Sequence, residues 1–207
     1  MELIFQSNQN YTDVMVFNNT LSIKELKNKT QLTTQEKSKL KLLKSEKRKK
    51  EWLGTRFVIQ KKFGTNVEIK YKGKKPFINN KKYFSISHSG SLLAFFSSNK
   101  YCIGIDIEKI SNKIESFSHK FIHDEEKIFL TKDNHLLTTQ LIWCAKEAIY
   151  KSHGLGGLIF NKEMIISNIN YKKNTARGFL IKNKIIENYS IHFKKLDSYL
   201  LVFAIKT

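Results

Sequence analysis

The same order of helical and strand patterns occurs twice along the chain, and this repeat constrains the fold more than any other feature. In the first half, apolar residues recur at helical spacing over 32–63, and Gly64 is a candidate helix end. In the second half, a longer helix is predicted over 136–153. Several short strand patterns follow each helix. The sequence therefore predicts an α+β, pseudo-duplicated protein with an N-terminal half, 1–100, and a C-terminal half, 101–207. Each half is expected to be a small antiparallel-type sheet packed by a long helix.

Short strand patterns fill most of the remaining sequence, and a further helical stretch is expected over 121–130. The predicted strands are one or two within 1–20, then 67–71, 83–86, 92–96, 102–107, 164–169, 178–181, 190–193 and 199–205. No Gly-, Ser- or Pro-rich linker separates the halves. We therefore expect the halves to pack tightly, with the functional site at their interface.

The charge balance predicts an anionic partner. The chain has 37 Lys and Arg against 18 Asp and Glu, a net charge of +19. Nucleic acid, acidic lipid, a phosphorylated small molecule or an acidic protein would each suit this charge. No apolar run approaches the ~18 residues of a membrane span, and the first residues do not form a signal-peptide pattern. The two cysteines form no metal-binding or disulfide framework, so we expect a cytoplasmic protein.

The motif at 103–108, which overlaps the strand predicted over 102–107, carries two carboxylates. Alternation along a strand places Asp106 and Glu108 on one face and Ile105 and Ile107 on the other. Two like charges this close repel each other, and a cation between them relieves the repulsion. Mg²⁺ suits such a pair because water and phosphate oxygens fill its remaining positions. The alternative is a strand end whose acids point into solvent.

The long second helix carries an unusual face. Trp143, Lys146, Glu147, Tyr150 and Lys151 lie within one broad stripe at helical spacing. An acid flanked by two lysines beside a tryptophan is unusual for a plain core stripe. The alternative is an ordinary surface pair between Glu147 and Lys151, which would add little to stability.

A third motif surrounds one histidine. At 84–90 a strand runs into small hydroxyl residues on either side of His88. Serine hydroxyls, backbone N–H groups and an imidazole can together bind a phosphate oxygen. A serine nucleophile with His88 as its base is the rival interpretation, but the segment contains no nucleophile elbow. A turn with an exposed histidine is the third possibility.

Together the three motifs resemble those of the 4′-phosphopantetheinyl transferases. A single chain with two similar halves is typical of the larger, monomeric, Sfp-like branch of that family. The resemblance rests on the Ser-His-Ser turn at 87–89, the Gly-Ile-Asp-Ile-Glu strand at 104–108 and the Trp-x-x-Lys-Glu helix at 143–151. It spans about 48–157, where 48–56 is similar to the family's basic helix and 73–76 to its Gly-Lys-Pro turn with one residue out of register.

The resemblance implies the 4′-phosphopantetheinyl transferase fold and an enzyme of the holo-[acyl-carrier-protein] synthase type. Such enzymes transfer the 4′-phosphopantetheine arm of coenzyme A to a serine of an apo acyl or peptidyl carrier protein and release adenosine 3′,5′-bisphosphate. The implied cofactor is Mg²⁺, and lipid biosynthesis is one pathway that uses such carriers. The implied partner is an acidic carrier protein, which a basic rim would steer, rather than nucleic acid or a membrane.

The resemblance also implies roles for individual residues. Asp106, Glu108 and Glu147 would be the metal ligands. Glu147 would take the proton of the carrier serine, directly or through a metal-bound water, with a water held by Glu108 as an alternative. Lys151 would stabilise the leaving phosphate or donate a proton to it. The implied coenzyme A-binding residues are Lys50, Arg56, Lys75, Pro76, Ser87, His88, Asp106, Lys146 and Lys151.

Within that set, His88 and Ser87 would bind the diphosphate or 3′-phosphate region. Lys75 and Pro76 would line the adenine side. Lys50 and Arg56 would bind the 3′-phosphate, with Lys37 and Lys41 as further candidates. In the segment before the motif helix, Glu125 and Glu126 are expected on a charged solvent face. Phe117, Phe121 and Phe129 could seat the carrier, but ordinary core is the favoured interpretation.

The main alternative is a metal-dependent nucleic-acid-binding protein or nuclease. This class fits the charge and the aromatic residues. Nucleic-acid binding alone does not explain three acids in these motifs, because carboxylates oppose phosphate binding unless a metal intervenes. A carrier-protein binder without catalytic activity is a third possibility, which the intact metal-ligand positions disfavour.

Overall fold

Two antiparallel sheets organise the chain in the computed structural model, which describes residues 1–9, 11–65, 67–72, 75–78 and 82–207. The strands of the first sheet are β1 Glu2–Gln9, β2 Thr12–Asn18, β3 Ile69–Lys72, β4 Lys75–Ile78, β5 Lys82–Ser89 and β6 Leu92–Ser98. The strands of the second sheet are β7 Ile103–Lys109, β8 Met164–Asn170, β9 Thr175–Lys182, β10 Ile185–Leu196 and β11 Tyr199–Lys206. The first sheet has the strand order β1-β2-β6-β5-β4-β3, and the second has the order β7-β11-β10-β9-β8.

The helices lie between these strands: α1 Ile23–Lys29, α2 Thr34–Leu42, α3 Glu46–Phe63, α4 His135–His153 and α5 Phe160–Glu163. The α+β class with two antiparallel sheets is therefore confirmed. The described strands of the two sheets fall on opposite sides of residue 100. The assignment of distinct functions to the halves 1–100 and 101–207 stays a prediction.

The first helical stretch is divided, whereas a single helix was expected over 32–63. Two side-chain caps cause the division. Thr33 forms a capping box with Glu36 at the start of α2, and Ser45 accepts a hydrogen bond from the backbone N–H of Arg48 at the start of α3. Gly64 ends α3 with a φ of 93°, as its position predicted.

The segment predicted as helical over 121–130 forms 3₁₀ turns instead. Two 3₁₀ segments, Asn112–Lys120 and Asp124–Phe129, connect β7 to α4. Helix α4 follows the prediction closely and ends at Gly154, which adopts the left-handed conformation with a φ of 77°. The elements that carry the acidic motifs are therefore a strand, β7, and a regular helix, α4.

Strand β7 lies at the junction of the two sheets. Its isoleucines, of which Ile105 is one, form a buried cluster with Val16 of β2, Phe96 of β6 and Leu201 of β11. Helix α4 crosses the same strand so closely that a Cβ on Gly104 would overlap the carbonyl oxygen of Ala148. Glycine at this motif position therefore sets the distance between the strand that carries two acids and the helix that carries the third.

Candidate active site

A row of serines on β5 contacts β7 from the other sheet. Ser85, Ser87 and Ser89 alternate along β5, so their side chains share one face. The Ser87 Oγ donates to Asp106 Oδ1 at 2.7 Å, and the Ser89 Oγ donates to Glu108 Oε2 at 2.9 Å. The Ser85 Oγ accepts a hydrogen bond from the β7 backbone at 3.1 Å. These hydroxyls join the two sheets and orient both acids of the strand.

Lys151 completes this contact from the last turn of α4. Its Nζ donates to Asp106 Oδ1 at 2.7 Å, to Ser87 Oγ at 2.9 Å and to the Ile105 carbonyl at 3.0 Å. Asp106 is only 3% exposed, and its Oδ2 is buried with no hydrogen-bond partner of normal geometry among the described residues. The weakly donating Cys144 thiol contacts this carboxyl group. A buried carboxylate oxygen without a strong donor is costly, so this oxygen is suited to a ligand that the protein atoms do not supply.

The other two acids are half-buried near Asp106. Burial and the charge of Asp106 raise the pKa of Glu108. Burial, followed by the charges of Asp106 and Glu108, raises the pKa of Glu147 on α4. The fold has therefore brought three carboxylates from two motifs close enough to repel one another.

The carboxylates fit a hard divalent cation in donor type. All three offer oxygen ligands. A cation would bind the unpartnered Asp106 Oδ2, and it would offset the burial and mutual repulsion that raise the pKa values of Glu108 and Glu147. Over the described part of the chain, no three His, Cys, Asp or Glu side chains converge as a preformed metal site. Asp106, Glu108 and Glu147 are the residues that could hold a metal, after adjustment of their side chains.

A cleft of about 310 Å³ adjoins the acids, and we call it the main cleft. Its lining includes four of the residues predicted to bind coenzyme A, namely Arg56, Pro76, His88 and Lys151. The cleft thus lies between α3 and the first sheet on one side and the end of α4 on the other. Residues from both halves of the chain therefore line one concave surface.

His88 is uncharged in this setting. Its Nε2 lies 3.3 Å from Thr55 Oγ1, and burial lowers its pKa to about 4. The imidazole is therefore neutral near pH 7 and can contact an anion only through a hydrogen bond. Thr55 was missed by the sequence analysis, since a single threonine in the helical pattern of α3 gives no signal of its own.

The predicted cations of the N-terminal half lie at different depths. Arg56 is buried, its Nε donates to Glu36 Oε1 at 3.2 Å, and its guanidinium carbon lies 3.9 Å from the centroid of the Trp52 ring. Lys50 is half-buried and lines a neighbouring depression together with His88. The further candidates Lys37 and Lys41 are exposed on α2.

Lys75 is not brought to the main cleft. Its Nζ donates to the carbonyl of Ser152 at 2.9 Å and lines a different cavity, whereas Pro76 lines the main cleft. Successive residues of a strand face opposite sides, so the two residues cannot both line the same surface. The preceding residues of the expected turn, Gly73 and Lys74, lie outside the described residues.

Lys146 is also directed away from the acids. It is fully buried, and its Nζ donates to Phe121 O at 2.6 Å, Glu126 Oε2 at 2.8 Å and Phe160 O at 3.0 Å. Burial lowers its pKa to about 8. All three ammonium protons are directed into the core, so the structure does not place Lys146 among the residues that face the cleft.

The expectation of a solvent-exposed Glu126 was wrong, although Glu125 is exposed as expected. Glu126 can be fully buried because its carboxylate accepts hydrogen bonds from backbone N–H groups as well as from Lys146. Its Oε1 accepts from the Ile166 N–H at 2.7 Å, and its Oε2 accepts from the His123 N–H at 2.7 Å. The carboxylate thus connects the 3₁₀ segment, α4 and β8.

The aromatic residues before α4 belong mainly to the core. The ring centroids of Phe117 and Phe121 lie 5.6 and 5.0 Å from that of Trp143, and Phe121 is fully buried. Phe129 is half-buried. The favoured interpretation as core is confirmed for Phe121, and Trp143 packs in the same cluster.

Comparison with known proteins shows which family the chain resembles in sequence. Residues 102–204 match the family model of the 4′-phosphopantetheinyl transferase superfamily. The chain belongs to that superfamily. It is also 31% identical over 124 residues to a protein named 4′-phosphopantetheinyl transferase gsp, from Aneurinibacillus migulanus, with 56% of this chain covered. The alignment spans about half of that relative, 52% of its length.

The region that matches the superfamily contains all three carboxylates and Lys151, whereas His88 and Arg56 precede it. The phosphopantetheinyl transferase resemblance of the motifs is therefore confirmed at the level of the superfamily. None of the described helices is both long enough and apolar enough to cross a membrane.

Proposed function

We propose that the protein transfers the 4′-phosphopantetheine group of coenzyme A to a serine of an apo acyl or peptidyl carrier protein. One observation carries the proposal: Asp106, Glu108, Glu147 and Lys151 meet beside a cleft lined by His88. Coenzyme A offers a diphosphate, which suits a lysine and a metal-binding acid cluster. The superfamily assignment supports the same reaction class.

We propose Mg²⁺ as the cofactor, held by Asp106, Glu108 and Glu147. When bound, the ion would supply charge neutralisation and polarisation of the coenzyme A diphosphate. Within the protein, Ser87 and Ser89 hold two of the acids at fixed positions through 2.7 and 2.9 Å hydrogen bonds. The close approach of α4 to β7 at Gly104 positions the third.

In the proposed reaction the carrier serine Oγ forms a bond to the β-phosphorus of coenzyme A. The bond from that phosphorus to the bridging oxygen breaks, and adenosine 3′,5′-bisphosphate leaves with this oxygen. Glu147 accepts the serine proton, since it is half-buried and makes no hydrogen bond to the described residues. Lys151, with its side chain 27% exposed, stabilises the negative charge on the departing phosphate.

The main cleft would bind the nucleotide part of coenzyme A. Neutral His88 has a single N–H, which forms a hydrogen bond with the Glu51 backbone, so it would donate to a phosphate oxygen by exchanging that partner. Arg56 would add the positive charge that His88 lacks. Pro76 would contact the base as an apolar wall. Lys50 would contact the 3′-phosphate from the neighbouring depression. In this proposal Lys146 supports the helix that carries Glu147, and does not itself contact coenzyme A.

An acidic carrier protein is the proposed partner. The segment 34–63 holds eleven Lys or Arg against three Glu, so a strongly basic surface borders the cleft. Such a surface would accelerate the encounter with an acidic carrier in a salt-dependent manner. One chain supplies β5, β7 and α4, which supports a monomer of the Sfp-like type. Cys102 and Cys144 are free, in keeping with a reducing compartment, and we place the reaction in the cytoplasm.

The direct test is intact mass spectrometry of apo acyl and apo peptidyl carrier proteins after incubation with the protein, coenzyme A and Mg²⁺. We expect a gain of one phosphopantetheine unit, lost in the Glu147→Gln variant and in excess EDTA. The Glu125→Gln variant makes the same chemical change on an exposed acid and is expected to retain activity. Failure to modify several types of carrier, together with no binding of coenzyme A, would overturn the proposal.

A further inference from the structure

A second cavity of about 410 Å³ lies behind the main cleft, and we call it the seam cavity. It is formed by β4, β5, the residue preceding β7, the end of α4, β10 and β11. Its lining consists of Lys75, Phe77, Tyr83, Cys102, Ser152, His153, Leu155, Glu187 and Lys206. The volume is at the lower end of the range for small-molecule sites. None of the acids of the main site lines it.

Lys75 is the most unusual residue of this cavity. It is 8% exposed, and burial lowers its pKa. Its Nζ donates to the Ser152 carbonyl at 2.9 Å, and its side chain also forms a hydrogen bond with the Cys102 thiol. Glu187 attracts Lys75 from a distance, but no Asp or Glu of the described chain lies within ion-pair distance of it. An ammonium group this buried normally has an anionic partner.

The acid in the cavity already has its own partners. Glu187 Oε1 accepts from Lys206 at 2.7 Å, while Oε2 accepts from the Tyr189 hydroxyl at 2.6 Å and lies 3.4 Å from His153 Nδ1. Burial opposes ionisation of Glu187, but these donors lower its pKa overall. The Glu187 carboxylate is therefore paired with Lys206 and attracts Lys75 only from a distance, so Lys75 has no direct anionic partner among the described residues.

A second buried group beside Lys75, the Ser152 hydroxyl, is only loosely held. Ser152 is 3% exposed, and its Oγ makes no hydrogen bond of normal geometry to the described residues. The Tyr189 hydroxyl donates its own proton to Glu187, so its oxygen can only accept the Ser152 proton. The Ser152 hydroxyl can turn from Tyr189 to a ligand next to the point where Lys75 presents its charge.

The rest of the wall is apolar. Phe77, Tyr83 and Leu155 line the cavity, and the Tyr83 ring centroid lies 4.7 Å from Lys75 Nζ. A ligand that matched this surface would carry one negative group at one end and a small apolar body at the other. A single charge fits better than two, because only one lysine of the cavity lacks a direct anionic partner among the described residues.

We propose that the seam cavity binds a compact organic acid, with its carboxylate at Lys75 and Ser152 and its apolar body against Phe77, Tyr83 and Leu155. The ligand class is a monocarboxylate on a small ring or short chain. The proposal concerns a site separate from the main cleft and stands independently of the transfer reaction.

Isothermal titration of the whole protein with benzoate tests the charge requirement. Benzylamine, which has a similar body and the opposite charge, and inorganic phosphate, which has no apolar body, are titrated in parallel. We expect saturable binding of benzoate, with benzylamine and phosphate at least tenfold weaker. Equal binding of benzylamine would overturn the proposal, and so would phosphate binding as tight as that of benzoate.

Two variants locate the site. Lys75→Met keeps the length of the side chain and removes its charge, and we expect it to weaken benzoate binding at least tenfold. Lys172→Met makes the same change in an exposed turn and should leave binding unchanged. Leu155→Trp alters a residue that is 71% exposed, and it should obstruct the cavity with Lys75 intact even if Lys75→Met proves unstable.

A titration of benzoate in saturating coenzyme A separates the two sites. We expect benzoate binding to persist, because coenzyme A is proposed to occupy the main cleft. Full competition would show that the seam cavity is part of the coenzyme A site and would overturn the inference. Unchanged benzoate binding in both Lys75→Met and Leu155→Trp would also overturn it. None of these outcomes depends on carrier modification, so failure here is distinct from failure of the proposed function.

Discussion

Replacement of Lys146 by Met should destabilise the protein strongly, because Lys146 and Glu126 are both fully buried. The change removes an ammonium that makes three hydrogen bonds of 2.6 to 3.0 Å and leaves the Glu126 carboxylate without its counter-ion. Removal of one partner from a buried pair costs about 3–5 kcal/mol. A loss of this size lowers the melting temperature of a chain of this length by roughly 6 to 20 °C.

Urea unfolding followed by circular dichroism measures the loss, with Lys120→Met as the matched control on an exposed lysine. The control should change the free energy of unfolding by less than about 0.5 kcal/mol. In the double variant Lys146→Met and Glu126→Gln the unpaired charge is absent, so the double loss should fall below the sum of the single losses by about 2 kcal/mol.

The opposite result has a clear meaning. A loss of under about 1 kcal/mol in Lys146→Met would refute the buried-pair account. If that stable variant also failed to bind coenzyme A, Lys146 would be a ligand-binding residue, as the family resemblance implied. The structure predicts instead that any folded Lys146→Met protein binds coenzyme A with nearly normal affinity.

Two further predictions concern His88 and Gly104. His88 has a pKa of about 4 when folded and an ordinary value of 6.5 when unfolded, so the unfolded chain takes up the proton first as the pH falls. Above pH 6.5 this group should not affect the free energy of unfolding, which should fall by roughly 2 to 3 kcal/mol between pH 6.5 and 4. Urea titrations at several pH values measure this fall. A His88→Gln variant whose free energy of unfolding fell just as steeply with pH would contradict the prediction. Gly104→Ala should lower the free energy of unfolding by about 2–4 kcal/mol, because the added methyl group overpacks α4 against β7. Urea unfolding measures this loss. A change below about 0.5 kcal/mol would show that the helix moves away from the strand at little cost.

The regular elements were predictable from local patterns. Helix α4 and its end at Gly154 follow from helical spacing and a C-terminal glycine, and β7 follows from a run of isoleucines. The division between α2 and α3 was missed because lysines dominate 37–50 and obscure the cap at Ser45. Ser45 followed by a charged first turn was the available signal.

Site residues could be predicted from the sequence only where they belong to a recognisable motif. The contact between Ser87, Asp106 and Lys151 joins three motifs that the sequence had already singled out. The burial of Glu126 was not predictable, because its partner Lys146 lies 20 residues away. The sequence pattern also placed Lys146 on the same helix stripe as Glu147 and Lys151 rather than against the 3₁₀ segment. The divergent directions of Lys75 and Pro76 follow from strand alternation, so this outcome could have been predicted once β4 was recognised as a strand.

In the proposed reaction, phosphopantetheine transfer and cleavage of the coenzyme A diphosphate are one step. The most direct measurement is the amount of adenosine 3′,5′-bisphosphate released for each carrier protein modified, with both products quantified in the same reaction. We expect one molecule of adenosine 3′,5′-bisphosphate per modified serine, and none when the carrier serine is replaced by alanine. Release of the nucleotide without modification of the carrier would contradict transfer and would assign the carboxylates a hydrolytic role instead.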